Sequence, residues 1–234
     1  MDKGRKSTEM SRDPPAQEML ERARALGIDT AFSRADLMVP CNIGGAGMCC
    51  KNCGMGPCRL TKDGMTGVCG ATIQARNMAR AIAAGSASHS DHGRDLAFTL
   101  LATAKGEAQG YEIRDAAKLF NVARYMGVPT AGRSVKDVAL DVANAAISQF
   151  GQQQGELIYI KRAPQKRQKI WRDLGVTPRG IDREVVDILH RTHVGNDQDP
   201  EHIMLGAIRC ALADGWGGSM LATDLSDILF GTPA

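Results

Sequence analysis

The sequence predicts an all-α protein. Apolar residues recur at helical spacing in segment after segment, and most of these segments end at a glycine. No segment alternates apolar and polar residues convincingly, and the short run LIYI at 157–160 fits a helical turn better than a strand. Apolar residues make up 43% of the chain and aromatic residues only 4%, so we expect close packing of aliphatic and alanine-rich helices.

The N-terminal part contains one predicted helix and a linker. Residues 1–13 are polar, and we expect them to be flexible. Prolines at 14–15 open a helix that Gly27 closes, because proline fits the first helical turn and glycine the position after the last. A linker then leads into a Cys/Gly-rich region at 38–71. We treat 14–234 as one helical domain that carries these loops.

The same start and stop signals predict the later helices. Serine, proline and aspartate mark several starts, and glycines mark most ends. The predicted helices are Thr72–Ala84 before Gly85, Asp91–Ala108, Arg114–Met126 before Gly127, one capped by Ser134 and ending before Gly151, one from Pro164 to near Leu174, one capped by Asp182 and ending before Gly195, one opened by Pro200 and ending before Gly215, and one near Met220–Phe230 before Gly231.

Six of the seven cysteines lie within 41–69, at the spacing C-x7-C-C-x2-C-x4-C-x10-C. The stretch is rich in glycine and has no predicted helix or strand that would bury the thiols. Something other than a hydrophobic core is therefore expected to fix its shape. Disulfides, zinc and iron–sulfur clusters are the three alternatives.

Signals for the cellular compartment bear on the disulfide alternative. The N-terminus is charged and has no apolar signal region, and no run approaches the ~18 apolar residues of a membrane span. We therefore expect a cytoplasmic protein without a membrane span. Thiols stay reduced in the cytosol, which disfavours disulfides.

Cys50, Cys53, Cys58 and Cys69 are the predicted ligands of one metal site. Zinc would accept the closely spaced pair Cys50 and Cys53, but structural zinc sites commonly add a second closely spaced pair of ligands, which is absent here. Four thiolates on a glycine-rich loop suit a [4Fe-4S] cluster, because glycine lets backbone N–H groups approach the sulfides. The spacing favours the cluster and leaves zinc open.

Cys41 and Cys49 form a separate pair next to these four ligands. Two thiolates are half of what a [4Fe-4S] cluster needs, and a two-fold homodimer would supply the other half from the same patch of a second chain. The pair therefore predicts a cluster shared between two chains. The alternative is that both thiols are inert.

Several motifs, in order, resemble the N-terminal region of the catalytic subunit of anaerobic nickel-containing carbon monoxide dehydrogenases. They are VPCNIGGAGMCCKNCGMGPCRLTKDGMTGVCGA, ARNMARAIAAGSASHSDHGRD, GYEIRDAAKL, TPRGIDREVV, HRTHVGNDQDP and ALADGWGGSMLATDLSDILFGTP. The resemblance implies a helical N-terminal domain of a homodimeric oxidoreductase that interconverts CO plus water with CO2, two protons and two electrons. It also implies two kinds of [4Fe-4S] site, one shared through Cys41 and Cys49 and one internal through Cys50, Cys53, Cys58 and Cys69.

The motif HSDHGRD has two interpretations. The resemblance implies that His89 lies beside the nickel centre as an acid/base group and that the helix carrying His92 helps to move protons. Histidine suits such work because its pKa lies near neutral pH. From the residues alone, the motif favours an exposed helix N-terminus capped by Ser90 or Asp91, whereas the resemblance favours the proton-transfer role in a complete enzyme.

The resemblance also implies that the ligands of the nickel–iron–sulfur centre come from later, Rossmann-like domains absent from this chain. Downstream of Cys69 the remaining candidate ligands are few, and we expect them to be core or structural: Cys210, His190, His193 and His202. The segment just after Cys69 is shorter than the resemblance implies. We expect the chain to be the electron-transfer and dimerisation part of a longer enzyme, without catalytic competence of its own.

Charge excludes some partners and permits others. The formal net charge is +3, and the basic stretch 161–169 lacks interleaved aromatic residues, so we expect no nucleic-acid binding. An acidic electron carrier such as a ferredoxin is a compatible partner. Two other interpretations remain, a stand-alone [4Fe-4S] electron-transfer or assembly module and a structural zinc module.

Overall fold

The structure is a computed structural model that describes residues 4–39, 41–193 and 195–233. The chain divides into two compact units, with the boundary between Ala46 and Gly47. The sequence analysis treats 14–234 as one domain, whereas this boundary falls inside the Cys/Gly-rich region. The first unit therefore includes part of that region as well as the N-terminal helices.

The first unit consists of short helices that begin at capping residues. Asp13 caps the second helix by accepting a hydrogen bond from the backbone N–H of Ala16 at 3.1 Å. Within the segment expected to be flexible, a helical turn forms, and the Ser7 hydroxyl donates to a Glu21 carboxylate oxygen at 2.7 Å. The helices are α1 (Ser7–Met10), α2 (Pro14–Ala25), α3 (Ala31–Asp36) and α4 (Asn42–Gly45).

The second unit is mainly helical, which confirms the all-α prediction. Its described strands, β1 (Cys49–Cys50) and β2 (Cys58–Arg59), span two residues each. The helices are α5 (Ile73–Lys105), α6 (Ala116–Met126), α7 (Val135–Gly151), a 3-10 helix (Ile158–Arg162), α8 (Gln165–Asp173), α9 (Ile181–Arg191), α10 (Pro200–Leu212), a π-helical segment (Ala213–Ser219) and α11 (Met220–Phe230).

Helix α5 is continuous across Gly85, so the predicted break there is wrong. Glycine ends a helix by adopting positive φ, and Gly85 does not adopt it, whereas Gly106 at the true end has φ 82°. A stripe of buried residues with alternating spacings of four and three runs through α5: Ala79, Ala83, Ser86, Ser90, Gly93, Ala97, Leu100 and Ala104. Packing along this stripe outweighs the cost of about 1 kcal/mol that glycine imposes inside a helix.

Two other predicted boundaries also differ from the structure. The chain does not leave the helical path at Gly215, because the π-helical segment joins α10 to α11. A side chain at Gly217 would lie 2.6 Å from Ile181, so glycine permits close packing there instead of ending a helix. Asp182 lies in the first turn of α9, and the residue at the cap is Gly180. The predicted ends at Gly127 and Gly231 and the cap at Ser134 are confirmed.

The core of the second unit has two main parts along α5. The C-terminal half of α5 packs with residues of α6, α7 and α11 in the larger cluster. The N-terminal half packs with α9 and α10 in a smaller cluster that includes Ala79, Ile188, Ile203 and Cys210. A third, small cluster of Cys50, Leu60 and Ile73 joins the start of α5 to the cysteine loops. Helix α5 therefore supports the loops from the core.

A buried carboxylate on α11 joins three elements. Asp224 accepts hydrogen bonds from the Tyr159 hydroxyl at 2.7 Å and from Arg162 at 2.6 Å, and it forms an ion pair with Lys118 at 2.8 Å. Burial and the charge of Asp224 raise the pKa of Tyr159, so the phenol stays protonated and donates. The contacts fix α11 against α6 and the 3-10 helix.

Replacing Asp224 by alanine is expected to lower the free energy of unfolding by about 1–3 kcal/mol, because it leaves the buried Tyr159 hydroxyl and the half-buried Arg162 without their acceptor, whereas Lys118 keeps Asp227. Equilibrium unfolding in urea measures this loss. Asp173→Ala is the control, since its ion pair with Lys169 is exposed and is expected to contribute less than about 1 kcal/mol. Equal losses in the two variants would contradict the importance of the buried network.

No helix within residues 4–39, 41–193 and 195–233 has both the length and the apolar character that crossing a membrane requires.

Candidate metal centre

A two-residue antiparallel ladder organises the cysteine loops. Strand β1 pairs with β2 so that Cys50 lies opposite Cys58 and Cys49 opposite Arg59. The backbone N–H of Leu60 donates to the Met48 carbonyl at 2.8 Å and extends this pairing. The ladder therefore brings together two of the four cysteines predicted as one ligand set.

Glycine is required at two positions around these thiols. At Gly56 a Cβ atom would lie 3.0 Å from both the Cys50 carbonyl oxygen and the Cys58 backbone nitrogen. At Gly195, where φ is +76°, a Cβ atom would lie 2.6 Å from that of Cys69. The loops are thus packed so tightly against backbone that side chains are excluded.

The four predicted ligands line one pocket. Cys50 is buried, and the other three thiols are half-buried. The remaining lining residues are Asn52, Met55, Gly56, Gly67, Val68, Ala71, Ile73 and Arg76. The four cysteines that the sequence analysis predicts as one ligand set therefore lie around one pocket, and their role as ligands stays a prediction.

The pocket is chemically suited to thiolate ligation of a cluster. The backbone N–H of Val68 donates to the Cys58 Sγ at 3.5 Å, as backbone groups do towards sulfur ligands of iron–sulfur clusters. No disulfide joins any two of the seven cysteines, all of which the structure describes. Among the described residues, no group of three His, Cys, Asp or Glu side chains is placed to hold a metal ion.

Cys41 and Cys49 lie in different units of the chain. Cys41 is exposed at the start of α4 in the first unit. Cys49 is half-buried in β1, and its carbonyl accepts a hydrogen bond from the Asn77 side chain at 2.9 Å. Asn77 belongs to α5, so this contact anchors Cys49 to the core of the second unit.

Two arginines of α5 lie next to the cysteine pocket. Arg76 lines it directly and is only 2% exposed. Arg80 follows one turn later and is half-buried, and its Nε donates to the Thr192 hydroxyl at 2.7 Å. Helix α5 therefore brings two positive charges to the thiols.

His89 and His92 lie in the middle of α5, so the predicted helix N-terminus at Ser90 or Asp91 is wrong. Both histidines are exposed. The His89 Nδ1 lies 2.9 and 3.0 Å from the two carboxylate oxygens of Asp214 in the π-helical segment. A carboxylate in this position orients the imidazole ring and selects its tautomer.

The sequence analysis did not anticipate the contact between Asp214 and His89. Asp214 stands 125 positions from His89, and nothing in its local sequence signals the contact. The π-helical segment positions it, because Asp214 also accepts a hydrogen bond from the Ser219 hydroxyl at 3.3 Å.

The remaining candidate ligands do not line the cysteine pocket. Cys210 is fully buried on α10 in the smaller core cluster, and burial raises the pKa of its thiol to about 11. Its predicted core location is confirmed. His190, His193 and His202 are exposed on the surface instead of packed.

Together, the helical fold and the cysteine-lined pocket define a helical protein with a candidate thiolate metal site. A family model described as the Prismane/CO dehydrogenase family matches residues 48–234. The chain belongs to this family.

Individual relatives agree with this assignment. Carbon monoxide dehydrogenase 1 of Methanosarcina mazei is 49% identical over 96% of this chain and 37% of its own length. The carbon monoxide dehydrogenase of Rhodospirillum rubrum is 44% identical over 95% of this chain and 36% of its own length. This chain thus spans little more than a third of the length of the curated relatives it matches.

Solved structures give the same result. A Ni-free carbon monoxide dehydrogenase from Thermococcus sp. AM4 matches with a TM-score of 0.86 and 44% identity, over 97% of this chain and 37% of that one. An acetyl-CoA synthase/carbon monoxide dehydrogenase, described with NiZn[Fe4S4] and NiNi[Fe4S4] clusters, matches with a TM-score of 0.85 and 38% identity, over 94% and 34%.

Proposed function

We propose that this chain is the iron–sulfur electron-transfer and dimerisation part of an anaerobic nickel-containing carbon monoxide dehydrogenase. The carrying observation is the pocket lined by Cys50, Cys53, Cys58 and Cys69 in a chain of the Prismane/CO dehydrogenase family. The complete enzyme would interconvert CO plus water with CO2, two protons and two electrons. The nickel-centre ligands would come from parts of the enzyme outside this chain.

The four pocket thiols would hold an internal [4Fe-4S] cluster. The four thiols line one pocket, and the Val68 N–H provides a hydrogen bond to one of the proposed ligand sulfurs. A cluster bound there supplies one-electron transfer. The residues of this chain would hold it, exclude bulk water through the tight glycine turns, and set its charge environment.

Cys41 and Cys49 would hold half of a second [4Fe-4S] cluster, shared with the same pair of a second chain. Three consecutive apolar residues precede this region and are highly exposed, Leu37 at 82%, Met38 at 70% and Val39 at 95%. A run of exposed apolar side chains that lies close to Cys41 in the sequence is suited to burial by a second copy.

His89 and His92 would act in proton transfer in the complete enzyme. The contact between His89 and Asp214 supports this role, because a carboxylate on Nδ1 orients the imidazole so that Nε2 can exchange a proton with a reacting group. His92 lies on the same side of α5 three residues later and would extend the path.

An electron-carrier protein such as a ferredoxin would complete the electron path. The exposed basic residues of α8, among them Lys166 and Arg167, are suited to steering an acidic carrier.

Metal and sulfide analysis tests the proposal. Protein reconstituted anaerobically with iron and sulfide is expected to contain iron and acid-labile sulfide in equal amounts, at about six of each per chain if both clusters form. Zinc without sulfide would contradict the proposal and would support a structural zinc module. The same sample without added sulfide serves as the control for adventitious iron.

A further inference from the structure

The cysteine pocket has a buried cation in its wall. Arg76 lines the pocket with the four thiols and is only 2% exposed. Buried arginines normally have a carboxylate partner. In the part of the chain that the structure describes, no ion pair joins Arg76 to an aspartate or glutamate. The charge of Arg76 can therefore interact with an anion that binds in the pocket.

Hydrogen bonds fix the Arg76 guanidinium without neutralising it. Its Nη1 donates to the Thr192 carbonyl, and its Nη2 donates to the Asp197 carbonyl at 2.8 Å. Both acceptors are neutral backbone groups in the segment that follows α9. The third donor, Nε, is buried and has no hydrogen-bond partner among the described residues. Leaving such a donor unsatisfied costs about 1–3 kcal/mol unless an acceptor binds there.

Arg80 repeats the arrangement one helical turn further on. Its Nε donates to the hydroxyl of Thr192, the residue whose carbonyl accepts from Arg76. Burial and the charge of Arg76 lower the pKa of Arg80, while negative charge on Cys50 and Cys53 opposes this effect. These thiols are therefore close enough to interact electrostatically with α5.

We propose that the buried charge and the unpartnered Nε–H of Arg76 raise the reduction potential of the cluster held by Cys50, Cys53, Cys58 and Cys69. This inference rests on the proposed function, since it requires that the four thiols bind a [4Fe-4S] cluster.

The direction follows from charge. A cluster gains one negative charge on reduction, and a fixed cation in a region of low dielectric stabilises the more negative state. Hydrogen bonds to the sulfurs act in the same direction. Removing the cation is therefore expected to make the reduction potential more negative. An exposed cation would have a much smaller effect, because water and salt screen it.

Redox titration followed by EPR spectroscopy tests the inference on the full chain after anaerobic reconstitution. Arg76→Gln is expected to shift the potential of one cluster to a more negative value and to leave that of the other unchanged. Arg76→Lys keeps the charge but lacks Nε–H, so we expect a smaller shift in the same direction. Lys51→Gln removes an exposed cation between Cys50 and Cys53 and is the matched control, with a shift well below that of Arg76→Gln.

A purely structural role for Arg76 predicts a different result. Loss of the bonds to Thr192 and Asp197 would then lower the melting temperature while both potentials stayed at the wild-type values, and this outcome would overturn the inference. A shift in Lys51→Gln equal to that in Arg76→Gln would overturn it as well. If Arg76→Gln does not fold, Arg76→Lys decides, and a wild-type potential in that variant contradicts the proposal.

Failure of the proposed function gives a separate signature. If the reconstituted wild-type protein binds no iron and sulfide, the proposed cluster is absent and the proposed function is contradicted. If the wild-type protein binds a cluster but the Arg76 variants have the wild-type potential, only the role of Arg76 is contradicted.

Discussion

Replacing Cys58 by alanine is expected to remove the internal cluster and about four of about six iron atoms per chain. Cys58 lies opposite Cys50 in the two-stranded ladder and accepts the Val68 N–H on its sulfur, so it is held rigidly in the pocket wall. Alanine keeps the backbone pairing but removes one of the four proposed ligands. Iron and sulfide assays, with the visible absorption of the reconstituted protein, measure the loss.

Cys210→Ala is the matched control for this experiment. It also removes one thiol, but Cys210 is buried on α10 among aliphatic residues of the smaller core cluster. We expect it to retain wild-type iron and to lose a modest amount of stability. Wild-type iron in Cys58→Ala would show that Cys58 is not a ligand, and equal iron loss in both variants would point to misfolding.

The local signals that predicted helix ends succeeded where the backbone itself decides the outcome. Gly127 and Gly231 have positive φ and terminate α6 and α11, and Ser134 caps α7 through a hydrogen bond from the Asp137 N–H. Such features depend on residues within one turn of each other. The sequence therefore contains all the information needed to predict them.

The predicted helix boundaries that proved wrong lie where packing between distant segments determines whether the helix continues. The buried stripe of α5 passes through Ser86, Ser90 and Gly93, which are not apolar residues and do not register in a hydrophobic pattern. At Gly93 a Cβ atom would lie 3.1 Å from the Gly218 carbonyl oxygen, so small size is needed because another segment approaches closely. The sequence reveals a glycine at this position but not the segment that requires it.

At the candidate site, too, local features were predictable from the sequence and long-range contacts were not. The cysteine spacing predicted the grouping of Cys50 with Cys53, Cys58 and Cys69, because the loops that join them are short. The charged residues around the site were missed. Arg76 binds carbonyls 116 and 121 positions away, and Asp214 meets His89 across 125 positions. Contacts of this range depend on how helices pack, which no local pattern specifies.

Replacing Cys41 by serine is expected to remove the shared cluster, to leave the internal cluster in place and to weaken the homodimer. The variant should lose about two iron atoms per chain, since each chain supplies half of the ligands. In the proposed dimer both copies of Cys41 bind the same cluster, so the substitution removes two of its four ligands. Iron assays combined with light scattering of the anaerobic protein measure metal content and mass together.

The Cys58 variant provides the reciprocal control for this result. Cys58→Ala is expected to lose the internal cluster and remain dimeric, whereas Cys41→Ser is expected to keep the internal cluster and dissociate more readily. An unchanged iron content in Cys41→Ser would contradict the bridging role of Cys41. Dissociation with unchanged iron would instead indicate that Cys41 contributes to the dimer contact without being a cluster ligand.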